Sequence, residues 1–325
     1  MTISHANPGQ LLPAGDPDGP IIRVAGDRLD EAVQRLTGAG ADSDSAHARR
    51  FLQFARENRI DLRHFWARAD AAGRLLHAAL FVPSPGRTCM VFATAPASHQ
   101  QARSIGGVIG HGCAALVDAG LDLAQALLEP AESLLCEAYL EAGFRELALL
   151  SYLERPLPTR RSCPRVSWPE GAAVEPYRPD ADEVMVRLLD ETYIDTLDCP
   201  GLFGLRQTED ILQGHRASGQ FDPSLWTILH LHGRPVGVLL LNPAPASRAI
   251  ELVYMGLAPS ARGRGLGTHL LNHGLSRLAG RREHTVTLAV DDCNAPARAL
   301  YRRAGFRPVL RRRALIRPLR RDVGA

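Results

Sequence analysis

The feature that most constrains the fold of this chain is an internal duplication. The segment AYLEAGFRELALL at 138–150 matches LYRRAGFRPVLRR at 300–312, so that Tyr139 aligns with Tyr301 at an offset of 162 positions. A shared Y-x-x-A-G-F-R motif at matching places in two long segments is typical of a repeated structural unit. We therefore expect two copies of one fold rather than a single large domain.

The order of predicted elements agrees with a duplication. In the second region, the apolar and turn patterns predict a strand, two helices, three strands, a helix, a strand, a helix and a last strand. The first region, from PIIRVAG to ELALLSYLER, shows the same order. We predict a flexible N-terminal tail over 1–20, a first domain over 21–155, a Pro-rich linker over 156–171 and a second domain over 172–325.

Composition excludes several classes of chemistry. All 38 Lys and Arg positions are arginine, which excludes a Walker lysine, a Schiff base and a lysine nucleophile. The sequence has no run of about 18 apolar residues, so we expect no transmembrane helix, and we expect no signal peptide. The six cysteines occur singly, without a C-x-x-C pair, which favours a reducing compartment. We therefore expect a cytoplasmic protein without a membrane partner.

Positive charge is concentrated in the C-terminal half. Residues 1–155 carry 14 arginines and 18 acidic residues, whereas residues 156–325 carry 24 arginines and 17 acidic residues. A basic half suits an anionic ligand. The excess is modest, so we expect a small anion rather than a nucleic acid, and a salt-dependent gel shift would detect the latter.

One stretch, VYMGLAPSARGRGLGTHLL from Val253 to Leu271, places bare backbone between a predicted strand and a predicted helix. The dinucleotide pattern G-x-G-x-x-G fails here, because Gly263, Gly265 and Gly267 are spaced G-x-G-x-G. The remaining pattern is R-x-x-G-x-G, whose glycines let backbone N–H groups turn toward an anion at the positive end of the following helix. We expect a pyrophosphate site, with a plain Gly-rich turn as the alternative.

Two motifs together carry a family resemblance. The sequence L-A-P-x-x-R-G-R-G-L-G after a strand, followed by N-A-P-A-x-x-L-Y-x-x-A-G-F, resembles the GCN5-related N-acetyltransferase (GNAT) superfamily over about residues 172–317. The duplicated chain is similar to the tandem, mycothiol-synthase-like acetyltransferases. The resemblance implies an α/β (α+β) fold with two tandem GNAT-like domains, each a mixed, mostly antiparallel central sheet flanked by helices.

The resemblance also implies an activity. A GNAT enzyme would transfer an acetyl group from acetyl-CoA to the amine of a small-molecule acceptor by direct attack in a ternary complex, and it would need no metal. Two alternatives stay open, a non-catalytic acyl-CoA-binding regulatory protein and a protein or peptide N-acetyltransferase. The segment from Asp190 to Trp226 would line the acceptor site without identifying the amine, and a monomer or a homodimer would fit.

Candidate catalytic residues follow from the resemblance and from the needs of acyl transfer. Glu251 resembles the family's general base and Tyr301 its general acid; an exposed strand residue and a core aromatic are the alternatives. A strand bulge at Gly256 and Leu257 would expose backbone to pantetheine, with the Leu257 N–H as oxyanion donor. Asn294 would contact pantetheine, or else cap a helix. The predicted cofactor-binding residues are Gly256, Leu257, Arg262, Gly263, Arg264, Gly265, Leu266, Gly267, Thr268 and Asn294.

The first half lacks most of these residues. At the offset of 162, Glu251, Arg262, Gly265 and Asn294 correspond to Cys89, Gln100, Arg103 and Glu132, and only Tyr139 retains its counterpart's identity. The motif RSIGG at 103–107 is open to interpretation as a displaced remnant of the loop. We expect a first half that is structural or substrate-shaping, and a single active site in the second half.

Two histidine pairs have spacings that a metal could use. His269 and His273 are four residues apart on a predicted helix, and His230 and His232 alternate on a predicted strand. No carboxylate completes a pattern of the H-E-x-x-H kind, so we interpret both pairs as packed or solvated side chains and predict no metal site.

Overall fold

The computed structural model describes residues 19–38, 45–57 and 60–319. The predicted N-terminal tail lies almost entirely outside these ranges. The strands within them are β1 (Ile21–Arg23), β2 (Phe65–Ala69), β3 (Leu75–Ser84), β4 (Thr88–Ala93), β5 (Leu123–Leu128), β6 (Arg145–Pro156), β7 (Ala172–Pro176), β8 (Thr227–Leu231), β9 (Arg234–Ala244), β10 (Ala249–Leu257), β11 (Thr285–Asp291) and β12 (Arg307–Pro318). The α-helices are α1 (Leu29–Thr37), α2 (Ser45–Glu57), α3 (His99–Val117), α4 (Ser133–Glu141), α5 (Asp182–Tyr193), α6 (Thr208–Ala217), α7 (Leu266–Arg277) and α8 (Ala295–Arg303).

These strands form one sheet in the order β1-β2-β3-β4-β5-β12-β6-β11-β10-β9-β8-β7. The first four strands of each half are antiparallel neighbours, and the fourth and fifth strands of each half run parallel, as β4 with β5 and β10 with β11. The predicted mixed, mostly antiparallel architecture, repeated in tandem, is therefore confirmed.

The two halves exchange their last strands. β6 ends the first half but pairs with β11 of the second, from Leu150 opposite Asp291 to Pro156 opposite Thr285. β12 ends the second half but pairs with β5 of the first, and β6 and β12 pair with each other. Each half-sheet is thus completed by a strand from the other half. The domain boundaries at residues 155 and 172 remain a prediction.

Helices cover both faces of the sheet, and β9 contributes side chains to the core on each face. This strand is apolar almost throughout, because its alternate side chains enter two different cores. Leu239 and Leu241 pack with α7 and α8 on one face. Val238 and Leu240 pack with α5 and α6 on the other face. Two cores therefore hold β9 and β10 firmly beside the candidate site.

The first half repeats this layering. The α3–α4 pair packs over one face of β3, β4 and β5, with Ile105 and Ile109 fully buried. The α1–α2 pair packs on the other face, around Val33 and Phe65. Among the helices in the described ranges, none has the length and apolarity that crossing a bilayer requires.

Candidate active site

A gap between β10 and β11 is the centre of the candidate site. The two strands pair only at their beginning, where Ala249–Glu251 lie opposite Thr285–Thr287. β10 nevertheless continues to Leu257 and β11 to Asp291. The facing edges past Glu251 have no strand between them, so the backbone groups there that no side chain binds are available to a bound molecule.

A β-bulge shapes β10 beside this gap. The register with β9 shifts between Leu252 and Tyr254, which places the extra residue at Val253. The expectation of a bulge at Gly256 and Leu257 is therefore wrong, since both residues pair in register with β9. The extra residue lets Val253 and Tyr254 both face the α5–α6 core.

The backbone of Leu257 faces the gap. The N–H of the next residue, Ala258, donates to the Val236 carbonyl on β9 at 2.8 Å. Because N–H directions alternate along a strand, the Leu257 N–H points away from β9 and toward the gap. An oxyanion donor needs this direction, and the assignment of that role to Leu257 stays a prediction.

Arg262 binds backbone carbonyls. Its Nε donates to the Leu257 carbonyl at 2.9 Å. Its other nitrogens donate to carbonyls at the carboxyl end of α5 and just beyond it, namely Thr192 (3.0 Å), Ile194 (2.7 Å) and Asp195 (3.1 Å). These bonds fasten the end of α5 to the loop before α7. They give Arg262 a structural task, and a direct contact with the cofactor stays a prediction.

The loop before α7 presents a row of free N–H groups. In the part of the chain that the structure describes, the five N–H groups of residues 263–267 have no hydrogen-bond acceptor, whereas those on either side donate to carbonyls within the loop. Gly263 and Gly265 have φ angles of 74° and 76°, and a Cβ on either would meet no atom within 4 Å. Gly263, Arg264 and Gly265 are exposed at the positive end of α7, so the geometry of the row suits an anion.

Glu251 lies at the base of the gap, on the face covered by α5 and α6. Its Oε2 accepts a hydrogen bond of 2.8 Å from the Ser218 hydroxyl, while its Oε1 has no partner in the described residues. Burial, and then the negative charge of Glu251, raise the pKa of Tyr152 on the exchanged strand β6. Glu251 therefore has one oxygen fixed and one oxygen free.

Tyr301 lies on the opposite face, in the core beneath α7 and α8. Burial, and then the charge of Asp198, raise the pKa of its phenol far above the ordinary value. The side chain is buried, with 6% of its surface exposed, and its hydroxyl has no hydrogen-bond partner in the described residues. Because the hydroxyl keeps its proton and is bound to no acceptor in the described residues, it remains available as a proton donor, and the general-acid role stays a prediction.

The loop after α5 closes one side of the gap with an aspartate that the sequence patterns did not indicate. Asp198 Oδ1 accepts a 3.0 Å bond from the Asp291 N–H, and Asp291 Oδ2 accepts a 3.2 Å bond from the Cys199 N–H. The Asn294 side chain caps α8, its Oδ1 accepting from the Ala297 N–H at 3.2 Å. Its predicted capping geometry is present, and its contact with pantetheine stays a prediction.

An aromatic cluster on the α5–α6 side was also missed. His215 stacks on Tyr254 with ring centroids 5.4 Å apart, and its Nε2 lies 3.2 Å from the Tyr193 hydroxyl. The Tyr254 hydroxyl bonds to Thr192 Oγ1 at 2.9 Å. A Cβ on Gly256 would approach that hydroxyl to 2.5 Å, so this packing requires a glycine. Burial of the imidazole lowers the pKa of His215 to about 4.

The first half has a similar splay, because β4 and β5 pair only over Thr88–Met90 opposite Leu123–Gln125, but its tyrosine is already bound. The buried Tyr139 hydroxyl donates to the Val91 carbonyl of β4 at 2.8 Å. The helix after β4 begins without a glycine loop, and Ser98 caps it by accepting from the Gln101 N–H. Residues 103–107 lie inside α3, so the interpretation of RSIGG as a displaced loop is wrong.

The strand register corrects one correspondence between the halves. Glu251 pairs with Thr287 on β11, and Met90 pairs with Gln125, which is the residue 162 positions before Thr287. The counterpart of Glu251 is therefore Met90 and not Cys89, because the bulge in β10 has no equivalent in β4. Either residue leaves the first half without a carboxylate at this place.

The described residues contain no group of three or more metal-binding side chains. His269 and His273 instead pack against Trp168, with ring centroids 6.0 and 5.8 Å away. His230 lies 2.9 Å from a carboxylate oxygen of Glu175. Packing and pairing thus account for three of the four histidines that the sequence analysis singled out.

Comparisons with known proteins agree with this geometry. The model of the acetyltransferase (GNAT) family matches residues 189–306. A mycothiol acetyltransferase of Streptomyces bingchenggensis is 34% identical over 165 residues, a match that spans 50% of this chain and about half, 51%, of that relative. A mycothiol acetyltransferase of Kytococcus sedentarius is 31% identical over 275 residues, or 76% of this chain and 88% of that relative.

Among solved structures, a GCN5-related N-acetyltransferase from Sphaerobacter thermophilus superposes with a TM-score of 0.57. The superposition covers 96% of this chain and 99% of that one, at 19% identity. This likeness concerns the fold alone, and it extends over both halves.

Proposed function

The chain belongs to the GNAT acetyltransferase family, and from this premise we propose that its second half transfers an acetyl group from acetyl-CoA to the amine of a small molecule. The observation that carries the proposal is the row of free N–H groups at residues 263–267, at the open end of the gap between β10 and β11. Such a row binds a pyrophosphate without a side-chain cation. The gap that follows is lined by free backbone edges suited to an extended pantetheine arm.

The proposed base and the proposed acid act from opposite faces of the sheet. The acceptor amine approaches from the α5–α6 face, where the free Oε1 of Glu251 takes its proton. The amine nitrogen attacks the thioester carbonyl, and the Leu257 N–H stabilises the oxyanion that forms. When the C–S bond breaks, Tyr301 donates its proton to the departing thiolate from the α7–α8 face. Base and acid are thus separate groups on opposite sides of the reacting carbon.

We further propose a single active site for the chain. The Tyr139 hydroxyl is bound to the Val91 carbonyl, so it is not available to a thiolate. The first half also has neither the glycine loop nor a counterpart of Glu251. The first half instead completes the second half-sheet with β6. This strand also places Tyr152 close to Glu251.

The names of the matching relatives indicate the acceptor. The matching relatives are named mycothiol acetyltransferases, which makes a mycothiol-related amine the first acceptor to test. The experiment follows release of free CoA thiol from acetyl-CoA with that amine and with a panel of amino sugars, polyamines and peptide N-termini. Acetylation of one small amine supports the proposal. Exclusive acetylation of peptides, or cofactor binding without turnover of any amine, contradicts it.

A further inference from the structure

The carboxylate of Glu251 is held by residues that lie outside both sequence motifs. Ser218, directly after α6, donates its hydroxyl proton to Oε2 at 2.8 Å. Asn242 on β9 stands directly opposite Glu251 in the β9–β10 register, and it is completely buried. Cross-strand partners place their side chains on the same face of a sheet. The three side chains therefore form one group on the acceptor face.

Asn242 also binds the C-terminal end of α6. Its Nδ2 donates to the carbonyls of His215 at 2.8 Å and Ser218 at 2.6 Å. Its Oδ1 accepts from the Trp226 indole at 2.8 Å. Both donor hydrogens and the acceptor oxygen of the amide are thus used, and two carbonyls at the end of the helix gain the partners that helix ends lack. The last turn of α6 is thereby tied to the strand beside Glu251.

We infer that Ser218 and Asn242 are positioning residues for the general base. Asn242 fixes the turn that carries Ser218, and Ser218 holds Oε2 so that Oε1 is directed at the amine. A hydroxyl that donates to a carboxylate also favours its ionised form. The inference rests on the proposed function, because it takes Glu251 as the base.

The charged and titratable groups around Glu251 come from several elements. Tyr152 and Glu154 lie on β6, His215 on α6 and Arg312 on β12. The pKa of Tyr152 is raised and the pKa of His215 is lowered to about 4, so both stay neutral around neutral pH. Glu154 is common to the parent and to Ser218→Ala, so a change in the acid limb of the pH–rate profile on removal of the Ser218 hydroxyl reports on Glu251, the carboxylate that this hydroxyl binds.

The test is a pH–rate series on Ser218→Ala, using acetyl-CoA and an acetylated amine. We expect kcat near neutral pH to fall about tenfold and the acid limb to move up by about one pH unit, since one hydrogen bond to a charged group is worth about a tenfold change in equilibrium. KM for acetyl-CoA should not change, and Ser218→Thr should restore the profile. Ser224→Ala is the matched control, because Ser224 donates a similar bond of 2.6 Å to Asp222, away from the gap.

Two further variants separate the inference from the proposed function. Asn242→Leu removes both amide donors without placing a second carboxylate opposite Glu251, so a folded variant should show the same upward shift as Ser218→Ala. If Ser218→Ala keeps the parent profile while Glu251→Gln is damaging, the positioning role is overturned and the base stands. If Glu251→Gln has the parent's profile, the proposed base is wrong, and the inference falls with it.

Discussion

The hydroxyl of Tyr139 donates a 2.8 Å hydrogen bond to the carbonyl of Val91, so the tyrosine of the first half is already bound. Tyr301 occupies the same place in the second half, and its hydroxyl has no partner among the described residues. The same side chain in the same motif is thus bound in one copy and free in the other. This difference supports our proposal that the first tyrosine packs and the second takes part in the chemistry.

Replacement of Tyr301 by phenylalanine should slow turnover by roughly 10²–10⁴-fold, the usual contribution of a general acid. Affinity for acetyl-CoA should stay nearly unchanged, because phenylalanine keeps the packing against Phe306 and removes only the proton donor. Steady-state kinetics together with calorimetric titration measure both effects. A fully active Tyr301→Phe enzyme would mean that solvent protonates the thiolate and that Tyr301 only packs.

The matched change in the first half, Tyr139→Phe, should affect stability instead of the rate. It should leave the rate intact but lower the free energy of unfolding by about 1–3 kcal/mol, because the buried Val91 carbonyl loses its donor. Chemical denaturation and the same kinetic assay supply the two numbers. A damaging Tyr139→Phe beside a silent Tyr301→Phe would show that the active half has been assigned the wrong way round.

Replacement of Glu251 by glutamine should depress the rate more at low pH than at high pH. At high pH the acceptor amine is already neutral and needs no base, so the loss of the carboxylate matters less. The measurement is kcat/KM for the amine across the pH range. An equal loss at every pH would point to a binding contact instead of proton transfer.

His215 should make stability fall as the pH is lowered. Its pKa is reduced by burial to about 4 in the folded chain, against an ordinary value of 6.5. Between these values the unfolded chain binds a proton that the folded chain does not, so this residue's contribution declines from pH 6.5 downward, by about 3 kcal/mol in total. Urea unfolding of the parent and of His215→Gln across this window should show a shallower pH slope in the variant. Equal slopes would refute the buried neutral imidazole.

Features that depend on neighbouring residues could be predicted from the sequence better than features that depend on contacts between residues far apart in the chain. The glycine loop, the start of α8 and Tyr301 lie in short motifs whose geometry depends on neighbouring residues, and the structure brings them to one gap. The repeat predicted the order of elements. It did not reveal that β6 and β12 are exchanged, because strand pairing is a non-local choice that leaves no trace in either strand's own pattern.

The side chains around Glu251 show a second limit. Ser218 and Asn242 are separated in sequence from Glu251 and belong to no motif, so only the docking of α6 on β9 brings them together. The bulge was expected at the glycine of β10 but occurs at Val253, where no special residue marks it. Gly256 is instead required by its contact with Tyr254.

Replacement of Gly265 by valine tests whether the glycine loop holds the cofactor. At its φ of 76° a β-branched residue is strained, and its side chain would enter the open space in front of the free N–H groups. Gly73→Val is the matched control, because Gly73 has a φ of 81° and equally open surroundings in the first half.

The deciding measurement is a calorimetric titration of the intact protein and both variants with acetyl-CoA. We expect one strong acetyl-CoA site per chain in the parent protein. Gly73→Val should keep this site with unchanged affinity, and Gly265→Val should have no strong site. Two equivalent sites in the parent, or parent-like affinity in Gly265→Val, would contradict this expectation.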